Sequence, residues 1–268
     1  MYEEMWAPVP DVGAYLARMG LSPADVSVQN RKTLDSLVYA HQTHIPFEDL
    51  DSALAKLPIS LEIPVIFDKI VTRKRGGYCY EMNGLFTRLL CDLGFDASSV
   101  FCRIVSGRDF IPPCFHRGIL VRLQEELLYC DVGFGGPQPP GSVLVREGAE
   151  TISHGEVFQT RRYDDGWWIL SRTDSRGIRQ DILHFSEFAQ TPQEFIAANY
   201  YAYACPASIF SHQVMVNLRN ETGHKNITGD LYTSVLEGQR CERRLENREE
   251  LRRTLSEEFA IDFAPCKI

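Results

Sequence analysis

Arg75-Gly76-Gly77-Tyr78-Cys79-Tyr80-Glu81-Met82-Asn83-Gly84-Leu85-Phe86 decides how the rest of this 268-residue chain is read. Two consecutive glycines permit a tight backbone path and a close approach by another molecule. Directly after them, Met82, Leu85, Phe86, Leu89, Leu90 and Leu93 recur at helical spacing on one face. Cys79 is therefore expected at or near a helix N-terminus. Unpaired N–H groups and the macrodipole favour an anion there, and so a thiolate, the nucleophilic form of cysteine. The competing reading is a buried cysteine that packs as a small hydrophobe. The Gly-Gly-x-Cys pattern alone leaves that choice open.

A nucleophilic cysteine needs a base, and the base needs an orienting group. Phe115-His116-Arg117-Gly118-Ile119-Leu120-Val121 opens a strand-like run with a histidine at its head, and Leu127-Leu128-Tyr129-Cys130-Asp131-Val132-Gly133 is a second apolar run with an aspartate near its end. If Gln124 and Glu125 form the turn between them, Leu123 pairs with Glu126 and, further along, Gly118 faces Asp131. His116 then lies two residues away on the same face, within diagonal reach. A one-residue slip would separate the pair. The chain order Cys, His, Asp suits a thiolate–imidazole–carboxylate triad.

Taken together, these blocks resemble the arylamine N-acetyltransferases. Ile45-Pro46-Phe47-Glu48-Asp49-Leu50 is similar to the family's early motif, with Asp49 where Asn is more usual. Arg75 to Asn83 matches the signature around its catalytic cysteine, and His116 and Asp131-Val132-Gly133-Phe134-Gly135-Gly136 match its histidine and aspartate blocks in order and spacing. The resemblance is dense in the first half of the chain; the second half fits in length and general pattern only. It implies Cys79, His116 and Asp131 as catalytic residues, acetyl-coenzyme A as co-substrate with no permanently bound cofactor, and ping-pong transfer of acetyl to a small aromatic amine or hydrazine. It also places Phe47 beside the amine, with Phe134 and Phe210 as further pocket aromatics. An amide synthase closing polyketide macrolactams shares the same triad, a thiol hydrolase or transglutaminase-like enzyme is a second alternative, and a non-catalytic coenzyme A-binding protein is a third.

Composition bounds these readings. The formal net charge of −8 and pI near 5.4 argue against nonspecific nucleic-acid binding, so polyanionic coenzyme A would need a local basic patch. No apolar run approaches the roughly 20 residues that span a bilayer, and the acidic start Met1-Tyr2-Glu3-Glu4 has no signal character. Eight cysteines without a C-x-x-C pair suggest neither a disulfide scaffold nor a structural zinc site. The expected setting is cytoplasmic, with no metal.

In chain order the periodicity predicts an α+β fold in three parts: an N-terminal helical bundle carrying the nucleophile (1–93), a central β-barrel-like domain carrying His and Asp (94–190), and a connecting helix with a C-terminal α/β lid (191–268). Helices are expected at Asp11–Leu21, after Thr33 as a cap, and from Pro64 towards Arg73-Lys74-Arg75. Pro46 ends the second and leaves Phe47 on a loop. Glu48, Asp49 and Glu81 all offer partners to Arg75. Asp164-Asp165-Gly166 is the clearest hairpin signal. Gly133, Gly135 and Gly136 belong to an irregular loop that either simply connects elements or lets a pantetheine arm or phosphate approach the backbone. Thr191 to Ala204 reads as a helix, Gln213–Leu218 and Asn226–Leu236 as strands, and Asn247 as the cap of a last helix in which Glu249 can pair with Arg253. His41 and His44 are read as structural, and His154, His184, His212 and His224 as surface or capping residues.

Overall fold

Stretches with a two-residue repeat pair antiparallel throughout, and those with a helical repeat cover the result. The computed structural model describes residues 2–153 and 155–263. Helices α1 (Val12–Arg18), α2 (Arg31–His44), α3 (Leu50–Ala53), α4 (Ile63–Phe67) and α5 (Cys79–Asp92) come first, interrupted by the two-residue strand β1 (Phe47–Glu48). Strands β2 (Asp96–Ile104), β3 (His116–Leu123), β4 (Glu126–Cys130), β5 (Val143–Leu144), β6 (Glu150–Ser153), β7 (Glu156–Asp164), β8 (Trp167–Thr173) and β9 (Arg179–Ser186) follow. Helix α6 (Ile196–Ala204) leads to β10 (Met215–Asn220), β11 (Gly223–Thr228), β12 (Leu231–Leu236), β13 (Gln239–Arg244) and α7 (Arg248–Phe259).

The central sheet has the order β5-β4-β3-β2-β9-β8-β7-β6. Its ends come back together: β5 approaches β6 and β7, and Thr160 Oγ1 on β7 donates to the Leu144 carbonyl on β5 at 2.7 Å. The eight strands thus form a nearly closed barrel. Leu120, Val100, Phe158, Leu170 and Phe185 fill its interior, while Ile119 and Val121, which alternate with Leu120 on β3, join Leu34, Leu37, Phe86 and Leu89 under the helices. A second sheet, β1-β10-β11-β12-β13, packs Val216, Ile227 and Tyr232 against Leu255 and Phe259 of α7.

The β3–β4 hairpin has the register expected from its turn, Leu123 opposite Glu126 and Ile119 opposite Cys130, with Gln124 at φ +53°. The Asp164-Asp165-Gly166 hairpin joins β7 to β8. Several expectations need correction. Asn30, not Thr33, caps α2, because its Oδ1 accepts from Thr33 N at 2.9 Å. Phe47 lies not on a loop but in β1, opposite Asn217 of β10. The helix from Pro64 passes into a π-helical turn at Asp68–Thr72. Asn226–Leu236 is two strands, since Gly229 at φ +63° turns the chain between them. Arg253 pairs with Glu250 rather than Glu249. His184 is buried against Tyr163 instead of lying at the surface, whereas His212 and His224 are exposed and His154 falls outside the described residues. No helix among the described residues is long and apolar enough to cross a membrane.

Candidate active site

The start of α5 is held by backbone proximity and by a buried charge cluster. The chain passes β1 so closely that a Cβ on Gly76 would lie 1.8 Å from the Pro46 carbonyl oxygen, and Glu48 N donates to Gly77 O at 2.9 Å. Tyr78 is then extended, at φ −103° and ψ −174°, which makes Cys79 the first residue of the helix. Glu81 closes the turn: its Oε2 accepts from Tyr78 N at 3.1 Å and its Oε1 from Lys69 Nζ at 2.8 Å. Burial raises the Glu81 carboxyl, and the Lys69 cation offsets that only in part. Arg75 pairs with Glu48 at 2.7 Å and with Asp51 at 3.0 Å, the second a partner that sequence reasoning did not name. Asp49 is buried beneath β10, and its Oδ1 accepts from Met215 N.

His116 and Asp131 come to the same place from the barrel. His116 Nε2 lies 2.6 Å from Asp131 Oδ2, with both side chains 1% exposed. Nδ1 is the ring nitrogen left for Cys79, whose thiol lies close enough to support a charge on the imidazole. Burial disfavours the imidazolium, but Asp131 and then Cys79 outweigh it, and the ring is pushed up to about 10. Burial would raise the Asp131 carboxyl as well. His116, Asn83 and the Gly133 N–H reverse that and hold it below the ordinary carboxylate range. Asn83 is the clamp here, since its Nδ2 donates to Asp131 Oδ1 at 2.8 Å and its Oδ1 accepts from Val132 N at 2.9 Å. Tyr129 OH donates to Asp131 Oδ2 at 2.8 Å, and Gln42 Nε2 bridges the carbonyls of Asp131 and Pro139.

Asn83, Tyr129 and Gln42 were not singled out in the sequence. Asn83 carried a usable signal, because it stands one helical turn after Cys79 on an otherwise apolar face. Tyr129 and Gln42 carried none, their partners being set by tertiary packing.

A cavity of about 700 Å³ lies beside this cluster, lined by Phe47, Phe115, Phe134, Tyr201, Phe210 and Met215, with Gly135 and Gly136 in its wall. Phe134 meets the His116 ring edge-on at 5.6 Å, and Phe210 links Phe47 at 6.3 Å to Tyr78 at 5.6 Å. Phe47, Phe134 and Phe210 are therefore brought together. Gly133 sits apart from them: it packs directly on Cys79, and its N–H is already given to Asp131. Gly135 and Gly136 also border a groove of about 650 Å³ that contains Arg172 and Arg219. Among the described residues no group of three or more His, Cys, Asp or Glu is placed to hold a metal.

A family model described as N-acetyltransferase matches residues 31–267, which makes the protein an acyltransferase by class. The arylamine N-acetyltransferase of Escherichia coli is 33% identical over 262 residues, 96% of this chain and 91% of that one. The solved arylamine N-acetyltransferase of Salmonella typhimurium superposes with a TM-score of 0.88 at 26% identity, covering 97% of this chain and 94% of that one. That of Mycobacterium marinum, solved in complex with CoA, superposes with a TM-score of 0.85 at 26% identity over 94% and 93%. The chain belongs to the arylamine N-acetyltransferase family.

Proposed function

We propose that this chain transfers acetyl from acetyl-coenzyme A to arylamines or arylhydrazines by a ping-pong route through acetyl-Cys79. The observation that carries the reading is the contact chain from Cys79 through His116 to an Asp131 carboxylate with every donor in place, at the edge of an aromatic cavity. With His116 held up to about 10, the ring is an imidazolium at neutral pH, the cation that a cysteine nucleophile needs beside it. The thiolate attacks the thioester carbonyl, and the imidazolium gives its proton to the departing coenzyme A thiolate. His116 is then neutral and takes the proton of the amine as nitrogen attacks acetyl-Cys79, which restores the starting pair. Asp131 fixes the ring tautomer and supports its charge.

Phe47, Phe134 and Phe210 form the slot for the flat acceptor. Gly135 and Gly136 give the pantetheine arm close passage towards Arg219, which supplies positive charge for the phosphates, while Arg172 beside it is paired with Glu156; Gly133 serves by packing on the nucleophile. The three-part division 1–93, 94–190 and 191–268, with the last as a lid over a helical bundle and barrel, is supported by the apolar cluster inside the barrel, which draws on the central part alone, while the other two clusters bind the parts to one another. Cys102 and Cys130, free thiols deep in the fold, support a reducing, cytoplasmic setting.

Intact-mass and peptide mass spectrometry test the route. Acetyl-coenzyme A without an acceptor should leave one acetyl group on Cys79, and Cys79→Ser should fold, carry no acetyl group and lose essentially all transfer. No adduct, an adduct on Cys91 or Cys130 instead, or residual transfer within about tenfold of wild type would overturn the reading.

A further inference from the structure

Arg117 follows His116 on β3 and points to the opposite face, into the core under the helices. It is only 4% exposed. Its Nε donates to Ser99 Oγ at 2.9 Å and its Nη1 to the Tyr80 carbonyl at 3.3 Å, while the guanidinium carbon lies 4.7 Å from the centre of the Phe195 ring. None of these neighbours is an anion. Lys69 and Arg75, the other deeply buried cations, each hold two or more carboxylates, but among the described residues Arg117 holds none. Burying a guanidinium without a counter-charge is costly.

The turn whose Tyr80 carbonyl Nη1 grips carries three acidic side chains, the Cys79 thiol, the Tyr80 phenol and the Glu81 carboxyl, and Lys69 already holds Glu81. Burial pushes the Tyr80 phenol far up, and its hydroxyl, buried without a hydrogen-bond partner, stays neutral. Cys79 is left. Resting on the reading of Cys79 as nucleophile, we infer that Arg117 is the second counter-ion of the Cys79 thiolate: a positioning residue that acts by charge across the first turn of α5, opposite the imidazolium. Burial draws the guanidinium down to about 10, so it remains charged at neutral pH. The other titratable groups facing Cys79 are Tyr78 and Tyr80 on its own segment and Cys102 on β2, all pushed up by burial and neutral there. With Lys69 held by Glu81, His116, backed by Asp131, and Arg117 are therefore the two cations placed at this turn.

This placement favours release over capture. Acetylation turns the thiolate into a neutral thioester and strands the Arg117 charge in the core. In the second half-reaction the amine nitrogen bonds to the acyl carbon, the C–S bond breaks with its electron pair returning to sulfur, and the amine proton passes to His116. Arg117 regains its partner in that step, which makes Cys79 the better leaving group.

The test is iodoacetamide alkylation of Cys79 across pH 5–9 in wild type, Arg117→Met and Arg117→Lys, with circular dichroism to establish folding. Arg117→Met should shift half-maximal alkylation about one unit to the alkaline side, tenfold in rate at fixed pH, and its acetyl-transfer deficit should shrink as pH rises. Arg117→Lys should stay within about 0.3 unit of wild type. A folded Arg117→Met with a superimposable curve overturns the inference, as does Arg117→Lys shifting as far as Arg117→Met. Should Arg117→Met not fold, Gly84→Ala decides: its Cβ would lie 2.7 Å from Nη1, displacing the guanidinium without removing its charge. An alkaline shift there supports the inference and an unchanged curve overturns it. Failure of the nucleophile assignment looks different, because Cys79→Ser would then retain transfer whatever the alkylation curves show.

Discussion

Asp131 accepts from His116, Tyr129, Asn83 and the Gly133 N–H, so its carboxylate is fully occupied in a site that water does not reach. Asparagine in its place keeps the volume but removes the charge and turns an N–H towards a ring nitrogen that is itself a donor. Asp131→Asn should therefore need more alkaline solution for the same rate of Cys79 alkylation, because the imidazolium that sustains the thiolate loses its main support. Superimposable pH–rate curves would remove Asp131 from the mechanism. The same change has a stability signature. His116 is raised from about 6.5 in the unfolded chain to about 10, so the folded state binds the extra proton and its advantage is full below about 6.5 and disappears as pH rises through 10. Asp131 is depressed, so its advantage is present above the usual carboxylate value and is lost in acid. Thermal unfolding of wild type against Asp131→Asn should show a gap of about 3 kcal/mol near pH 6 that narrows towards pH 10. A gap constant across that range would contradict the linkage.

At the scale of elements, the approach to α5 is the most constrained piece of chain. Gly76→Ala would drive a methyl group into the Pro46 carbonyl, and neither backbone can yield without losing the Phe47–Gly77 bridge. The expected cost is about 3 kcal/mol with loss of most acetyl transfer, measured by denaturant unfolding and by turnover; a change under about 0.5 kcal/mol would show that the approach is looser than described. A tight path was legible from the glycine pair, and so was the helix after it, because both rest on local chemistry, but what comes close is the chain's own Pro46 carbonyl rather than another molecule. The β3–β4 register was legible for the same reason: a two-residue turn leaves one pairing that buries Ile119 and Val121 on the helical side. What escaped depended on partners distant in sequence. Arg75 finds Asp51 only after α3 has folded beside it, and Asn30 rather than Thr33 starts α2 because the residue three before a free N–H is the one that can cap it. The division of 223–236 into β11 and β12 was hidden by β-rich residues on both sides of Gly229.

Across the whole molecule, the C-terminal segment is bound into what precedes it. Phe195, Ala198 and Ala202 belong to the apolar cluster under the N-terminal helices, and Tyr78 OH donates to Asn199, whose amide reaches the Ile59 carbonyl. A fragment ending at residue 190 should therefore lack a cooperative thermal transition, although it contains Cys79, His116 and Asp131. A sharp transition within about 5 °C of the full chain would show that the first 190 residues are self-sufficient. Phe47 joins these levels, since the same residue is a rung of the β1–β10 pairing and a wall of the cavity. Its ring can still turn, but the main chain beneath it is pinned on both sides, by Asn217 and by Gly77. The cavity therefore has one wall whose footing cannot recede: a ring may swing, yet moving its base would mean unzipping two strands.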